Sequence, residues 1–295
     1  MTDHPSRFVG APRAVFRRAE QKLLPRRARP PDMNGAVSAA FTQVLCGNPP
    51  PAGAIAAGQA IVAAVTAHAA TFAPASEPAY HDQYHQAEAT VAMGWLCGRA
   101  RQLGLLAAET AVAGVLAMAG HDLQHDGSWP SPGVLEARSA ELTVALAAQA
   151  GLDAATLAVI RRVILATDPL RPQAELDADD LICRLAEEAD VFGSLTPELG
   201  WQLSSALARE VHAAGHRLNP SVASFTGHLA LLRRQRPATQ AGQGFGLADA
   251  VADQIAAMAA FGNGSAEQGA AGLDAMPPAR ARANYLAALA RVAPE

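Results

Sequence analysis

The stretch 106–120 constrains the fold more than any other part of the chain, because it reads LAAETAVAGVLAMAG and holds a single charged residue. A helix that is apolar all round is stable only when other elements cover every face of it. With 295 residues, half of them hydrophobic, the chain has the material for that cover. Alanine is abundant and aromatic residues make up only 5% of the chain, which favours closely packed helices.

The rest of the sequence also favours an all-helical fold. Apolar residues recur at helical spacing from about residue 77 to 235, without a convincing run at the two-residue period of a strand. Asp153 and Thr196 suit helix N-caps, and Pro197 suits the first turn that follows. We therefore predict an all-α, compact multi-helix domain. The predicted helices are 53–71, 79–103, 106–120, 133–150, 153–167, 177–193, 196–214 and 219–235.

Composition divides the chain into three parts. Residues 1–52 are predicted to be a basic N-terminal arm and linker, 53–236 the helical domain, and 237–295 a Gly- and Ala-rich linker with a helical tail. The arm is interpreted as a solvated or partly helical extension, with contact to an anionic surface or a partner as the alternative. The tail, with helices at 248–261 and 279–291, is interpreted as a packing appendage or a contact in a homo-oligomer. The basic residues of the arm are Arg7, Arg13, Arg17, Arg18, Lys22, Arg26, Arg27 and Arg29.

Charge and cysteine content argue against several classes of protein. The formal net charge is -4, so no overall basic excess indicates a nucleic-acid partner. The three cysteines are scattered without a CxxC pair, which fits reduced thiols rather than a disulfide framework. No apolar run of about 20 residues stands out as a membrane span, and the N-terminus lacks the apolar core of a secretory signal. We therefore predict a cytoplasmic protein.

Histidine and aspartate residues concentrate in two short segments beside the apolar stretch. His81 and His85 are four residues apart and so share one helix face. The second segment, HDLQHDG at 121–127, starts where the apolar stretch ends. A buried His–Asp pair loses hydration, and a divalent cation compensates because it binds neutral imidazole and carboxylate together. Alone, each segment is more often an ordinary group of surface or core side chains. Asp190, alone, is more often a surface acid or a helix N-cap. Together, the two segments and Asp190 predict a metal site.

The order of these segments resembles that of the HD-domain metal phosphohydrolases, and most closely the catalytic domains of class I cyclic-nucleotide phosphodiesterases. Members of that family carry YHNxxHA, HDxxHPG, VLE, LATD and a late metal-ligand Asp. The present chain carries YHDQYH at 80–85, HDLQHDG at 121–127, VLE at 134–136, LATD at 165–168 and then Asp190. The resemblance covers about residues 79–235. It implies an HD-type, all-α phosphohydrolase domain with two divalent metal ions. Imidazole and carboxylate ligands together can bind Zn, Mn, Fe, Mg or Ni.

The resemblance implies a role for each matching residue. His85, His121, Asp122 and Asp190 match the ligands of the tighter metal, and Asp122 also matches the carboxylate that bridges to the second metal. His81 matches the residue that protonates the leaving oxygen. The implied reaction is attack of a metal-activated hydroxide on a small phosphoester, a cyclic nucleotide or a related diester, with His81 as general acid.

Further residues are expected around this centre. His125 and Glu136 match groups near the second metal and its waters, and we expect His125 to act in catalysis with His81 and Asp122. Asp82, which follows His81 directly, is expected to hold the His81 ring charged or oriented. These residues extend the predicted site beyond the metal ligands.

The resemblance also implies contacts with substrate. Thr167 and Asp168 match a helix-end motif beside the site, and Phe225 matches the ring that clamps a substrate base. Val222 stands where the family presents a glutamine, and valine cannot hydrogen-bond to a base edge. Purine recognition in the usual manner is therefore not predicted. Candidates for phosphate contacts are Arg138, Arg161, Arg162 and Arg171.

Several positions depart from the family pattern. Asp82, Gln86 and Asp126 replace the family's Asn, Ala and Pro, and the loop between Gly127 and Val134 is shorter. These changes leave the predicted metal ligands intact and alter the surroundings of the site.

Other functions remain open. An HD-fold di-iron oxygenase would use more histidine ligands, and His125 could serve, but Glu136 and the LATD segment favour hydrolysis. A phosphomonoesterase or nucleotidase would use the same site. A ligand-binding protein with a decayed site would be expected to lack ligands, and every implied ligand is present. The chain has no Gly-Tyr-Pro, which argues against the cyclic-dinucleotide enzymes that often carry it.

Overall fold

The computed structural model describes residues 10–73, 76–169, 180–235 and 237–293. Over these residues the chain forms fourteen α-helices and no strand, so the predicted all-α class is confirmed. The helices are α1 (Pro12–Leu23), α2 (Met33–Val44), α3 (Ala52–Ala69), α4 (Gln83–Gln102), α5 (Ala108–Ala119), α6 (Val134–Gln149), α7 (Ala154–Ala166), α8 (Leu181–Asp190), α9 (Leu199–Ala213), α10 (Phe225–Arg234), α11 (Gln240–Gly244), α12 (Leu247–Phe261), α13 (Ala266–Asp274) and α14 (Pro278–Val292).

Helix α5, which is the apolar stretch, lies at the centre of the core. All of its residues from Ala111 to Ala119 are buried, and it packs against α2, α3, α4, α7 and α8. Helix α4 is covered almost as completely, since every residue from His85 to Gly98 is buried. Three predicted metal ligands are therefore attached to the two best-covered helices, the part of a fold that opens least readily.

Helices α2 and α4 approach each other closely at Gly94. A Cβ atom at this position would lie 2.5 Å from Cα of Ala40 and 2.6 Å from its Cβ. We expect Gly94→Ala to lower the free energy of unfolding by about 1–3 kcal/mol, because the two backbones must move apart. Urea unfolding measures the loss. Gly272→Ala is the matched control, since its Cβ would meet only the side chain of Phe261, at 3.3 Å; an equal loss in both variants would contradict the close-packing explanation.

The N-terminal segment, predicted to be an arm, packs against the core through α1 and α2. The ring of Phe16 in α1 is buried and lies 5.5 Å from the ring of Phe192. Helix α2 packs along α4 and also touches α3 and α5. The described part of this segment, residues 10–52, is thus a layer of the domain rather than a solvated extension. Arg7 lies outside the described residues.

One predicted helix start is wrong, and another is confirmed. Asp153 caps α7, since its carboxylate accepts a hydrogen bond of 2.9 Å from a backbone N–H of the first turn. Helix α9 starts three residues after Thr196, with Glu198 at its N-cap position. There the carboxylate of Glu20 accepts hydrogen bonds from backbone N–H groups of residues 198 and 199, at 2.8 and 3.2 Å. A side chain from α1 therefore caps α9, which no local signal could indicate.

The C-terminal tail packs on the same core. Helices α12 and α14 fall close to the two predicted helices, whereas α13 lies between them, where no helix is predicted, and is capped by Ser265. The start of the tail is held by the buried carboxylate of Glu188 in α8. This carboxylate accepts hydrogen bonds of 3.0 Å from the backbone N–H groups of Ala238 and Thr239.

Among the described residues, α3 is the one helix that is long and apolar enough to cross a membrane, a criterion of length and composition only. The sequence had singled out no such segment. A single helix of this kind is weak evidence for a membrane span, because buried core helices meet the same criteria. One face of α3, with Ile61 and Val65, packs in the core, where the helix touches α2, α5 and α6.

Candidate metal centre

The four predicted ligands of the tighter metal come together at the ends of three helices. His85 lies in the first turn of α4, His121 and Asp122 follow α5, and Asp190 is the last residue of α8. Nε2 of His85 lies 3.0 Å from Oδ1 of Asp190 and 3.4 Å from Oδ2 of Asp122. Nε2 of His121 lies 3.1 Å from Oδ2 of Asp122 and 3.3 Å from Oδ1 of Asp190. Two imidazole nitrogens and two carboxylate oxygens thus surround one point.

A divalent cation fits this group of atoms. Nδ1 of His121 donates a hydrogen bond of 2.8 Å to the carbonyl of Met118, so that Nε2 carries the free lone pair of the neutral ring. Nε2 of His121 and Oδ2 of Asp122 are buried, and neither makes a well-aligned hydrogen bond within the described part of the chain. Buried polar atoms without partners are costly. A cation between them would satisfy both.

The charges of these side chains depend on one another. Burial alone would raise the pKa of Asp122, but the neighbouring His121 and His81 hold it well below its usual range. Burial likewise opposes ionisation of Asp190, yet hydrogen bonds with His121 and His85 lower its pKa. The same carboxylates raise the pKa of His121 well above its usual value, against the effect of burial. The carboxylates thus favour a proton on His121, and a bound cation would take the place of that proton.

Local contacts with α6 fix the turn that carries His121 and Asp122. A Cβ atom on Gly120 would lie 2.3 Å from Oγ1 of Thr143, so only glycine permits this close approach. The Thr143 hydroxyl donates to the carbonyl of Gly120 at 3.2 Å. The backbone N–H of Gln124 donates to Oγ of Ser139 at 3.0 Å. Two small polar side chains on α6 thus hold the backbone on both sides of the ligand pair.

A second group of side chains lies beside the first. Nδ1 of His81 is 2.5 Å from Oε1 of Glu210 in α9. The other carboxylate oxygen of Glu210 accepts hydrogen bonds from the backbone N–H groups of Tyr80 and His81, at 2.8 and 3.1 Å. Burial disfavours the charge on Glu210, but these bonds lower its pKa to about 2. Burial also disfavours the charge on His81, yet Asp122 and Glu210 raise the pKa of His81 above its usual value.

His125 stacks on His81. The two ring centroids are 3.6 Å apart and the ring planes differ by 17°. Nδ1 of His125 accepts a hydrogen bond of 3.2 Å from the backbone N–H of Gly127, so its proton is on Nε2. Burial, and then the charge of His81, lower the pKa of His125 to about 4. The neutral ring can therefore donate one hydrogen bond, through Nε2.

Glu210, rather than Asp82, contacts the ring of His81. The carboxylate of Asp82 instead accepts a hydrogen bond of 2.8 Å from the backbone N–H of His85 and so caps α4. Sequence reasoning missed Glu210, although a signal exists. Glu210 lies seven residues after Leu203 in α9, a spacing that puts both on the buried face of the helix. A buried acid needs a hydrogen-bond or ion-pair partner.

The site opens into a cavity of about 240 Å³. Predicted residues that line it are His81, Asp122, His125, Glu136, Thr167, Asp168 and Asp190. Its apolar walls come from Trp129, Leu207 and Leu231, among others. Burial raises the pKa of Glu136, and the nearby carboxylates of Asp168 and Asp122 raise it further.

Phe225, predicted to clamp a substrate base, does not line this cavity. Its buried ring packs against Trp201 and Tyr285, with centroid distances of 4.6 and 5.3 Å. Its backbone N–H donates a 2.6 Å hydrogen bond to Asp274 of α13. The prediction for Phe225 is therefore wrong, because the C-terminal helices enclose this ring in the core. Val222 does not line the cavity either.

Three of the four arginines predicted to contact phosphate do not line the cavity. Arg162 pairs with Asp180 at 2.6 Å, and neither Arg138 nor Arg161 lines the cavity. Arg171 lies outside the described residues. The described lining instead includes Arg234, at the end of α10, whose guanidinium donates to the carbonyl of residue 169 at 3.0 Å.

Comparison of the chain with protein-family models gives no match, and comparison with curated proteins gives none either.

Proposed function

We propose that this chain is a metal-dependent phosphoester hydrolase of the HD type, acting on a small phosphodiester. The observation that carries the proposal is the pairing of two groups beside one cavity. One holds two imidazole nitrogens and two carboxylate oxygens with N···O distances of 3.0–3.4 Å. The other is the hydrogen-bonded pair of His81 and Glu210. Phosphoester hydrolysis needs both an activated water and a proton for the leaving oxygen.

The donor set suits the first of these tasks. Two divalent cations, of a type that accepts both imidazole and carboxylate, would lower the pKa of a bound water and offset charge on phosphorus. His85, His121, Asp122 and Asp190 would hold the tighter one. Each of these side chains is positioned by a helix end, so the ligands are preorganised. Asp122, Glu136 and Asp168 line the cavity and are available toward a second cation.

His81 and its neighbours suit the second task. Glu210 accepts from Nδ1 of His81, which directs Nε2 as the remaining donor. Because Asp122 and the Glu210 carboxylate both raise the pKa of His81, this ring is suited to deliver a proton to the leaving oxygen. His125, stacked on His81 and neutral, would donate from Nε2 to a substrate oxygen or a water.

The charges that line the cavity favour a substrate with a single negative charge. The described lining contains the carboxylates of Asp122, Glu136, Asp168 and Asp190 and the guanidinium of Arg234. Two divalent cations would offset the four carboxylates, and the His81–Glu210 pair adds no net charge, so one positive charge remains in excess. A phosphodiester monoanion, such as a cyclic nucleotide, matches that balance more closely than a polyphosphate, which carries several negative charges.

The proposal is tested by assaying the purified protein against phosphomonoesters, phosphodiesters and cyclic nucleotides with added Mn²⁺, Zn²⁺, Fe²⁺, Mg²⁺ or Ni²⁺. We expect turnover of diesters, including bis-p-nitrophenyl phosphate, that depends on the metal. Preference for monoesters would identify a phosphomonoesterase or nucleotidase instead. An iron chromophore together with no phosphoesterase activity would overturn the proposal in favour of a di-iron oxygenase.

Glu210→Gln is expected to lower kcat about 10- to 100-fold for substrates with alkyl leaving groups, with a smaller effect on KM. The amide keeps the size of the side chain, but it removes the negative charge that supports the His81 imidazolium. Steady-state kinetics with a methyl ester and a p-nitrophenyl ester measure the loss. Glu141→Gln, on the exposed side of α6, is the control and should leave both rates unchanged. An equal loss with both esters would argue against a role through His81.

A further inference from the structure

Arg27 of the N-terminal segment joins that segment to the helix that carries His85. It lies in the 3-10 turn Leu24–Ala28 that follows α1. Its guanidinium donates two hydrogen bonds to the carboxylate of Glu88 in α4, from Nε at 2.9 Å and from Nη2 at 3.0 Å. The side chains of Arg27 and Glu88 are 17% and 3% exposed. The ion pair is therefore bidentate and largely buried, the geometry in which an arginine–carboxylate contact is most specific.

The same guanidinium reaches two further groups at the start of α4. Nη1 lies 3.7 Å from Oδ2 of Asp82, and the guanidinium carbon lies 5.6 Å from the ring centroid of Tyr84. Asp82 is the N-cap of α4 and accepts from the backbone N–H of His85. Arg27 thus contacts residues before and after His85 on the first two turns of the helix.

The balance of charge explains why these contacts matter. Burial raises the pKa of Glu88, and Arg27 is the principal group that opposes this effect. Burial similarly disfavours the charge on Arg27, and Glu88 is the principal group that sustains it. Each charge is therefore maintained chiefly by the other, and removal of Arg27 leaves the Glu88 carboxylate buried without its principal partner.

We propose that Arg27 is a positioning residue for the metal centre, which it serves by fixing the first two turns of α4 and thereby the imidazole of His85. The inference rests on the metal-binding part of the proposed function. It gives the basic N-terminal segment a task in the chemistry of the site, since ordering of that segment and metal affinity become coupled. Groups that orient the ligands of a metal typically change its affinity about 10- to 100-fold when they are replaced.

The test uses Co²⁺ as a probe, because its binding and its visible absorption spectrum are measured without any substrate. In the full-length protein, Arg27→Gln should weaken Co²⁺ binding about 10- to 100-fold and alter the absorption bands of the bound ion. Arg13→Gln is the matched control. Arg13 lies in α1 and also makes a bidentate contact, with Asp253 of α12, through hydrogen bonds of 2.6 and 2.9 Å. We expect its Co²⁺ affinity to stay within about twofold of the wild type.

A second variant keeps the inference open to refutation when Arg27→Gln unfolds the chain. The double variant Arg27→Gln/Glu88→Gln removes both charges, and we expect it to fold with the same loss of Co²⁺ affinity, while Arg27→Lys should restore part of it. Unchanged affinity and spectrum in a folded Arg27 variant would overturn the positioning role and leave the proposed function standing. Failure of the wild type to bind Co²⁺ would overturn both, whereas binding without hydrolysis would overturn only the proposed reaction.

Discussion

Replacing Asp122 with asparagine is expected to lower kcat/KM for phosphodiesters by about 10³-fold or more, which corresponds to about 4 kcal/mol of transition-state stabilisation. Oδ2 of Asp122 is close to both ligand nitrogens, at 3.1 Å from His121 and 3.4 Å from His85. An amide at this position carries no charge and presents either a weak oxygen ligand or an NH₂ group that cannot bind a cation. Both the affinity for metal and the activation of water should therefore fail.

Metal content and thermal unfolding separate this loss from misfolding. At a metal concentration 100 times its dissociation constant, the cation should stabilise the wild type by about 2.7 kcal/mol. The Tm should rise by several degrees in the wild type and remain unchanged by metal in Asp122→Asn. Asp126→Asn is the matched control, since this exposed carboxylate in the same segment contacts the backbone N–H of Ser128 at 2.9 Å. Normal turnover by Asp122→Asn would refute the assigned centre.

His81→Gln is expected to have the second largest effect, and that effect should depend on the leaving group. For alkyl esters, whose alkoxide leaves poorly without a proton, loss of the general acid should lower kcat about 10²- to 10⁴-fold. For p-nitrophenyl esters, whose phenolate leaves without protonation, the rate should change little. The contrast follows from the position of His81, which lines the cavity beside Asp122 with Nδ1 held by Glu210.

The measurement is a plot of log kcat against the pKa of the leaving alcohol, for wild type and variant. A steeper dependence in His81→Gln would identify protonation of the leaving oxygen as the lost step. His212→Gln is the control, because this histidine lies in the exposed part of α9. Parallel lines for wild type and His81→Gln would remove His81 from the role of proton donor and leave the metal ligands unaffected.

The helices were predictable because their signals are local. The period of apolar residues indicated α5 as a helix buried on all sides, and the structure places it at the centre of the core. The same locality explains the error at α9. The hydroxyl of Thr196 accepts from the backbone N–H of Gly200, but the N–H groups of residues 198 and 199 are bound by Glu20, which lies 178 residues from Glu198 in the chain. Propensity and capping patterns act over a few residues and contain no information on such a contact.

The candidate site follows the same division. Helical spacing predicted that His81 and His85 share a helix face, but α4 begins at Gln83 and His81 lies before it. The end of the apolar stretch did place His121 and Asp122 together, and the order of the segments predicted the group that they form with His85 and Asp190. The partners that orient them were not. Glu210 is 129 residues from His81. It could have been suspected only as an acid on the buried face of α9.

What the sequence by itself determined is the all-helical class, most helices after residue 52 and the chemistry of the residues at their ends. The tertiary structure alone decided which distant side chains meet: Glu210 with His81, Arg27 with Glu88, and Phe225 with the C-terminal helices rather than with a substrate. The physical reason is that helix periodicity arises from hydrogen bonds four residues apart, whereas these contacts arise from the packing of whole helices. The apolar stretch 106–120 depends on both sequence and tertiary structure. Its composition requires burial on every face, and only the packing of the other helices provides that burial.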